Sequence, residues 1–322
     1  MDLLPKEGKG KRERGKELKF QFRLYRNHFK QPLRTNHGIW EVREGIIISL
    51  TNSRGMTARG EIAPLPWFGS ETMAQAIKFC QQLGGAITQQ QIRSIPDYLP
   101  CCQFALESAS LRLTQPQLSD PSPDLDFCYL LPAGEEVLTT WQNLYQTSGA
   151  TTFKWKIGVL NLSTEIQILR QLTADFPSEV KLRLDANGGL NLPQAQQLLS
   201  VTDNLQAIEF IEQPLSPENF PDILQLSQEH NTLLALDESV ASFSQLQQVY
   251  GQGWKGVYVI KVGIMGFSRR LIQFCQSHDL DLVFSSVLET EVGRQTVLNL
   301  TQQLNHPRAV GFGIQHLFDH DH

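Results

Sequence analysis

The sequence predicts an α/β protein: a modified (β/α)-barrel that lacks its last helix, preceded by an α+β domain. Two observations carry the barrel. From residue 127 onward, short apolar runs alternate with helical patterns, and strands separated by helices form a parallel sheet. Five polar residues close successive runs 24 to 27 residues apart: Asp185 in KLRLD, Glu212 in AIEFIE, Asp237 in TLLALD, Lys261 in GVYVIK and Ser285 in DLVFSS. That interval holds one strand, one helix and two loops, and barrel enzymes carry their chemistry at the strand ends. A third observation sets the first part of the chain aside: before residue 120, strand patterns come first and helical patterns follow, without alternation.

The 322 residues suffice for a barrel of about 200–250 residues and a smaller second domain. Hydrophobic residues make up 41%, enough for a sizeable core. A net charge of −5 argues against a general nucleic-acid binder. No apolar run approaches the roughly 20 residues of a membrane span. The opening MDLLPKEGKGKRERGKELKF has no apolar stretch after its basic residues, so it does not read as a secretory signal. Five cysteines, an odd number with no CxxC pair, fit reduced, buried thiols in a cytoplasmic protein.

Taken in order, the basic run from Lys6 to Lys19 reads as a solvated terminus. KFQFRLYRNHF alternates apolar and polar residues, a strand pattern. EVREGIIISLTNSRGMTARGEIAPLP reads as two further strands around a glycine-containing turn, giving an antiparallel meander. Met73, Ala76, Ile77 and Cys80 fall at helical spacing within 71–83, and 101–113 reads as a buried helix. TQPQLSDPSPDLD, rich in Pro, Ser and Asp, is the linker. The domains are therefore set at 1–120 and 121–314, with a tail at 315–322 that can pack back on the first. Barrel strands are expected at 127–131, 153–157, 181–185, 208–212, 233–237, 257–261, 282–286 and 309–313. STEIQILRQLTADF and LPQAQQLLSVTDNL are among the helices between them.

Strand side chains alternate between faces, so Lys154 and Lys156 point one way and Trp155 the other. Arg183 and Asp185 likewise share a face. Asp185, Glu212 and Asp237 sit on three successive strands and converge. Three carboxylates without histidine or thiolate favour a hard ion, Mg²⁺ first and Mn²⁺ as the alternative. Lys156 comes from the strand before these acids and Lys261 from the strand after them. An ammonium beside a second ammonium, Lys154, and a divalent ion releases its proton more readily, which makes Lys156 a candidate base.

KWK, LDANGG, IEQP, LDES and IKVG, in this order and spacing, resemble the enolase superfamily in its muconate-lactonising-enzyme subgroup. The likeness covers essentially the whole chain from about residue 19. It implies an α+β capping domain over the barrel, with Asp185, Glu212 and Asp237 as Mg²⁺ ligands. It implies Lys156 as the acid/base residue and Lys261 as the group on the opposite face of the substrate. REGIIISL, GEIAPLPWFGSET, FALESASLRL and SSVLETEVG extend the resemblance toward members that dehydrate a cyclohexadiene carboxylate in quinone biosynthesis. The reaction implied is removal of an α-proton by Lys156, an enediolate, and loss of water. Ser285 and Ser286 then match positions that contact substrate carboxyl groups; Arg183 and Asn187 carry over from RxDxN, and Lys154 supplies supporting charge. The proline-rich GEIAPLPWFGSE matches a loop that closes over the substrate.

Other members use the same lysine pair to racemise N-succinylamino acids, and that reading stays open beside dehydration. A dipeptide epimerase would carry Asp-x-Asp on the eighth strand, where AVGFGIQ stands here. A sugar-acid dehydratase would place a histidine at a late strand end, and neither 257–261 nor 282–286 ends in one. A non-catalytic scaffold would have lost a ligand or a lysine, and all are present.

Overall fold

A computed structural model describes residues 17–35, 38–115, 125–304, 308–314 and 317–318. Two sheets organise the chain. The first has four strands: β1 (Glu17–Thr35), β2 (Gly38–Thr51), β3 (Thr57–Ile62) and β4 (Ala86–Thr88), in the order β3-β2-β1-β4. β1 pairs antiparallel with β2 and β4, and β2 with β3. Helices α1 (Met73–Gln82), α2 (Gln89–Arg93) and α3 (Pro100–Thr114) cover one face. Residues 17–19, expected to be terminus, instead begin β1, because Leu18 is buried and its neighbours pair with β4. The rest of the basic run, residues 6–16, lies outside the described residues, as do 116–124 of the linker.

α3 packs tightly against β3. A Cβ at Gly60 would sit 2.1 Å from the Ala105 carbonyl oxygen, so only glycine permits this approach. Glu71 receives the backbone N–H groups of Cys101 and Cys102 at 3.0 and 2.8 Å, which places a carboxylate at the N-terminus of α3. The first helix therefore starts later than 71: Thr72 caps it, with Gln75 completing a capping box. All five cysteines are buried and free.

The second sheet is parallel and has eight strands: β5 (Phe127–Leu131), β6 (Thr152–Lys156), β7 (Lys181–Asp185), β8 (Ile208–Glu212), β9 (Leu234–Leu236), β10 (Val257–Ile260), β11 (Asp281–Phe284) and β12 (Val310–Gly313). The order is β11-β10-β9-β8-β7-β6-β5-β12, and a parallel bridge between Ser285 and Gly311 brings the ends together into a barrel. Helices α4 (Val137–Ser148), α5 (Leu162–Ala174), α6 (Leu192–Thr202), α7 (Phe220–Glu229), α8 (Phe243–Gly251), α9 (Ser268–Ser277) and α10 (Glu291–Gln302) connect successive strands. No helix follows β12 among the described residues. Instead Phe318, in the tail, pairs with Phe29 of β1.

The barrel has two apolar compartments because strand residues alternate. Trp155, Leu182, Leu184, Ile211 and Leu236 face the helices. Phe210, Ala235, Val257, Val259 and Val283 form a separate cluster lining the inside. No helix of the described residues is long and apolar enough to cross a membrane.

The cap is joined to the barrel by polar contacts as well as apolar ones. Glu61 on β3 accepts hydrogen bonds from Thr290 N and Oγ1 and from Gly293 N, at the start of α10, and from Tyr25. Arg43 on β2 donates to the carbonyls of Pro64 and Leu288. These contacts fix the cap over the C-terminal ends of the barrel strands.

Candidate active site

Strand register sets the site. Lys156 lies beside Asp185, and Asp185 beside Glu212, at the last rung of β6, β7 and β8. Asp237 follows β9 directly, Lys261 follows β10 and Ser285 follows β11. The inward residues one step deeper are Lys154, Arg183, Phe210 and Val259. All ten sequence-predicted site residues line one cavity of about 220 Å³: Lys154, Lys156, Arg183, Asp185, Asn187, Glu212, Asp237, Lys261, Ser285 and Ser286.

The three acids are almost fully buried, at 0%, 1% and 2% exposure for Asp185, Glu212 and Asp237. Lys154 Nζ donates to Asp185 Oδ2 and Glu212 Oε1, each at 2.7 Å. Lys156 Nζ donates to Asp185 Oδ2 at 2.8 Å and to Asn187 Oδ1 at 2.7 Å. Lys261 hydrogen-bonds Asp237 and stands 4.3 Å from the ring centre of Phe68, a cap residue. Asn187 and Gln213, just past the ends of β7 and β8, have φ of +45° and +39°. Such backbone is costly for residues with a Cβ and persists where the surroundings hold it. Gln213 shows how: Oε1 accepts from Asp237 N and Ser239 N, while Nε2 donates to Leu215 O and Ser239 Oγ.

Electrostatics divide the acids. Burial would raise the Asp185 carboxyl, but Lys154 and Lys156 outweigh it and hold the group well below the ordinary carboxylate range. Burial and the nearby Asp185 push Glu212 up to about 7. Burial also raises Asp237, with Lys261 opposing and Glu238 adding repulsion. The Lys154 ammonium is disfavoured by burial, yet Asp185, Glu212 and Asp237 together hold its pKa well above the usual lysine value.

This donor set suits a hard divalent ion: three carboxylates from adjacent strands, with no histidine or thiolate among them. As the side chains stand, their oxygens turn toward Lys154, Lys156 and Lys261. Among the described residues no three acid, histidine or cysteine side chains gather at metal-binding distance.

Arg183 faces inward, as parity requires, but it is deep and already engaged. Its guanidinium donates to Glu209 at 2.7 and 3.3 Å and lies over Phe210. Arg308 joins the same Glu209 and forms paired bonds to Asp281. The group closes the barrel floor, which favours a stabilising role over substrate contact. Arg183→Met should cost about 2–3 kcal/mol, less than a fully orphaned buried pair because Arg308 still neutralises Glu209. Urea unfolding beside steady-state kinetics checks this: stability should fall while KM stays near the wild-type value.

Several site residues gave little signal in the sequence. Leu65, Trp67 and Phe68 in the predicted closing loop, and Trp40 of β2, line the cavity from the cap side, and Leu288 lines it from the barrel side. Glu289 supports the Ser286 loop by accepting from Ser286 Oγ at 2.6 Å and Val287 N at 2.7 Å. Its Oε1 is buried without a hydrogen-bond partner among the described residues. Burial pushes this carboxyl from 4.5 up to about 7. Between those values the folded chain binds more protons than the unfolded chain. The stabilising share is thus full below about 4.5 and is lost as pH rises through about 7. The loss is on the order of 3 kcal/mol. In Glu289→Gln, whose amide does not titrate, this part of the decline between pH 5 and 8 should be absent from denaturation curves.

Eight parallel strands with acids and lysines at their C-terminal ends, under an α+β cap, define a capped-barrel enzyme of the acid/base type. The family described as "Enolase C-terminal domain-like" matches residues 136–320, and "MenC, N-terminal domain" matches residues 22–113. A curated o-succinylbenzoate synthase of Thermosynechococcus vestitus is 38% identical over 302 residues, covering 92% of both chains. One from Listeria innocua is 25% identical, covering 82% of this chain and 75% of its own. The solved o-succinylbenzoate synthase of Thermosynechococcus elongatus BP-1, complexed with Mg in its active site, superposes with a TM-score of 0.86. It is 37% identical and covers 93% of this chain and 94% of its own. The L-Ala-D/L-Glu epimerase of Bacillus subtilis, at 20% identity, shares the fold with a TM-score of 0.81, covering 94% and 91%. The chain belongs to the enolase superfamily and, within it, to the o-succinylbenzoate synthase family.

Proposed function

We propose that the chain is an o-succinylbenzoate synthase: it dehydrates 2-succinyl-6-hydroxy-2,4-cyclohexadiene-1-carboxylate to 2-succinylbenzoate, in menaquinone or phylloquinone biosynthesis. The observation that carries the reading is a pair of lysines approaching from opposite sides of three buried carboxylates, in a chain of this family. Asp185, Glu212 and Asp237 would hold Mg²⁺, with Mn²⁺ as the alternative. The bound ion would supply positive charge where the substrate carboxylate gathers electrons.

Lys156, as the free amine, takes the α-proton; the C–H electron pair moves into the carboxylate to give an enediolate. The same ammonium then protonates the departing hydroxyl, the C–O bond breaks and water leaves. One group can serve both steps when the two bonds lie on one face of the ring. Asn187 orients Lys156 through its hydrogen bond. Lys261 presents its charge from the other face, steadied by Asp237 and the Phe68 ring. Lys154 supports the charge balance, and Ser285 and Ser286 receive the substrate carboxyl groups. Leu65, Trp67 and Phe68 supply apolar wall that limits water. The cap, 1–120, and the barrel, 121–314, are read as two domains that enclose one substrate. Five buried free thiols fit a cytoplasmic enzyme acting on a small carboxylate.

The presence of Lys261 favours one second reading, an N-succinylamino acid racemase, because racemisation needs an acid/base group on each face. Lys261→Arg separates the two, since guanidinium keeps the charge but is a poor proton carrier. Under dehydration the variant should retain measurable turnover. Under racemisation it should lose α-proton exchange with deuterium on the configuration that Lys261 faces. Purified protein with Mg²⁺ is assayed on both substrates side by side. Racemisation far faster than dehydration would overturn the synthase reading.

A further inference from the structure

We propose that Phe318, beyond the last barrel strand, is a positioning residue for the substrate-facing wall of the cap. In the outer half of β1 the register with β2 shifts between His28, opposite Val42, and Leu33, opposite Trp40. Phe29 stands in this irregular stretch and is buried although its neighbours are exposed. Two contacts bury it. Phe318 forms a backbone bridge to Phe29 and stacks on its ring with centroids 4.8 Å apart. Trp40 of β2 meets Phe29 edge-on at 5.3 Å.

The chain of rings continues. Trp40 meets Trp67 edge-on at 4.9 Å, and both line the catalytic cavity. Arg43, whose guanidinium lies over Trp40, bonds the Leu288 carbonyl on the barrel side. A terminal side chain is thus connected through two ring contacts to the cavity wall. The position is set by topology: Ile314, right after β12, is itself part of the cavity, and Leu317 N returns to its carbonyl. In place of a helix after β12, the described tail residues reach the cap. Shortening this chain of rings should loosen Trp40 and Trp67 without touching Lys156 or the acids.

The kinetic arm rests on the dehydration reading; a second arm does not. Of the five tryptophans, Trp141, Trp155 and Trp254 are buried, whereas Trp67 is 45% exposed and Trp40 half-buried. Acrylamide quenching of the native fluorescence therefore reports mainly on Trp40 and Trp67. Phe318→Ala should raise the quenchable fraction. It should also raise KM about three- to tenfold, the size expected for lost aromatic contacts, with kcat changed far less. Phe318→Leu, which keeps apolar volume, should fall between, and it carries the test if the alanine variant does not fold. The Phe29→Ala/Phe318→Ala pair should be no worse in KM than Phe29→Ala alone. A lower melting temperature with unchanged quenching and unchanged KM makes Phe318 a structural residue only and overturns the proposal. If neither wild type nor variant turns over the cyclohexadiene acid, the activity reading falls, and quenching alone decides on Phe318.

Discussion

Lys156→Ala should abolish nearly all turnover while leaving the fold intact. General acid/base groups contribute about 10²–10⁴-fold, and a residue that first removes a proton and then delivers one stands at the upper end. The geometry supports the choice of Lys156 over Lys154. Lys156 sits at the last rung of β6, where its ammonium contacts Asp185 and the Asn187 side chain. Lys154 is one step deeper and is shared by Asp185 and Glu212, which ties it to the carboxylates. Lys154→Ala should therefore reduce activity less, and it should cost stability by leaving buried acids short of a cation. Pre-steady-state turnover with both variants, beside circular dichroism, tests the assignment. An active Lys156→Ala with a dead Lys154→Ala would reverse the roles.

Removing any one of the three acids should produce the second large loss. Asp185→Asn, Glu212→Gln and Asp237→Asn each take one charged oxygen donor from a site that has no histidine or thiolate to replace it. Turnover should fall by orders of magnitude in each, and prolonged dialysis against chelator should do the same to the wild type. Thermal shift gives a readout independent of turnover. A ligand bound only by the folded chain stabilises it by about 2.7 kcal/mol at a hundredfold excess over its Kd. Mg²⁺ should therefore raise the wild-type melting temperature in a concentration-dependent way, and the rise should shrink in the three variants. Full activity after exhaustive chelation, with no thermal shift, would sink the metal assignment.

The barrel was legible because two local rules act together. A parallel strand must be followed by a crossover, so strand and helix patterns have to alternate. An inward residue on a strand must be two from the next, so Lys154/Lys156 and Arg183/Asp185 declare their faces without any structure. The eight strands accordingly lie within one or two residues of their expected ends. Local rules failed at 86–93. There a three-residue strand and a five-residue helix follow two glycines. Three residues are too few to show a period, and β4 exists because Glu17–Lys19 offers an edge about 70 residues away in sequence.

Sequence by itself determined which residues reach the barrel mouth, since side-chain parity and strand ends are properties of the chain alone. Depth and partnership were decided only by the tertiary structure. Arg183 has the same parity as Asp185, yet Glu209, which it shares with Arg308, holds it at the floor. The closing loop of the cap was named by resemblance, but its partners on the barrel were equally hidden. Phe68 meets Lys261, and Glu61 meets Thr290, across sequence separations no periodicity can encode. Such contacts arise when two independently patterned units press apolar and polar faces together. Their identity depends on how those faces fit, and fit is a property of the folded whole.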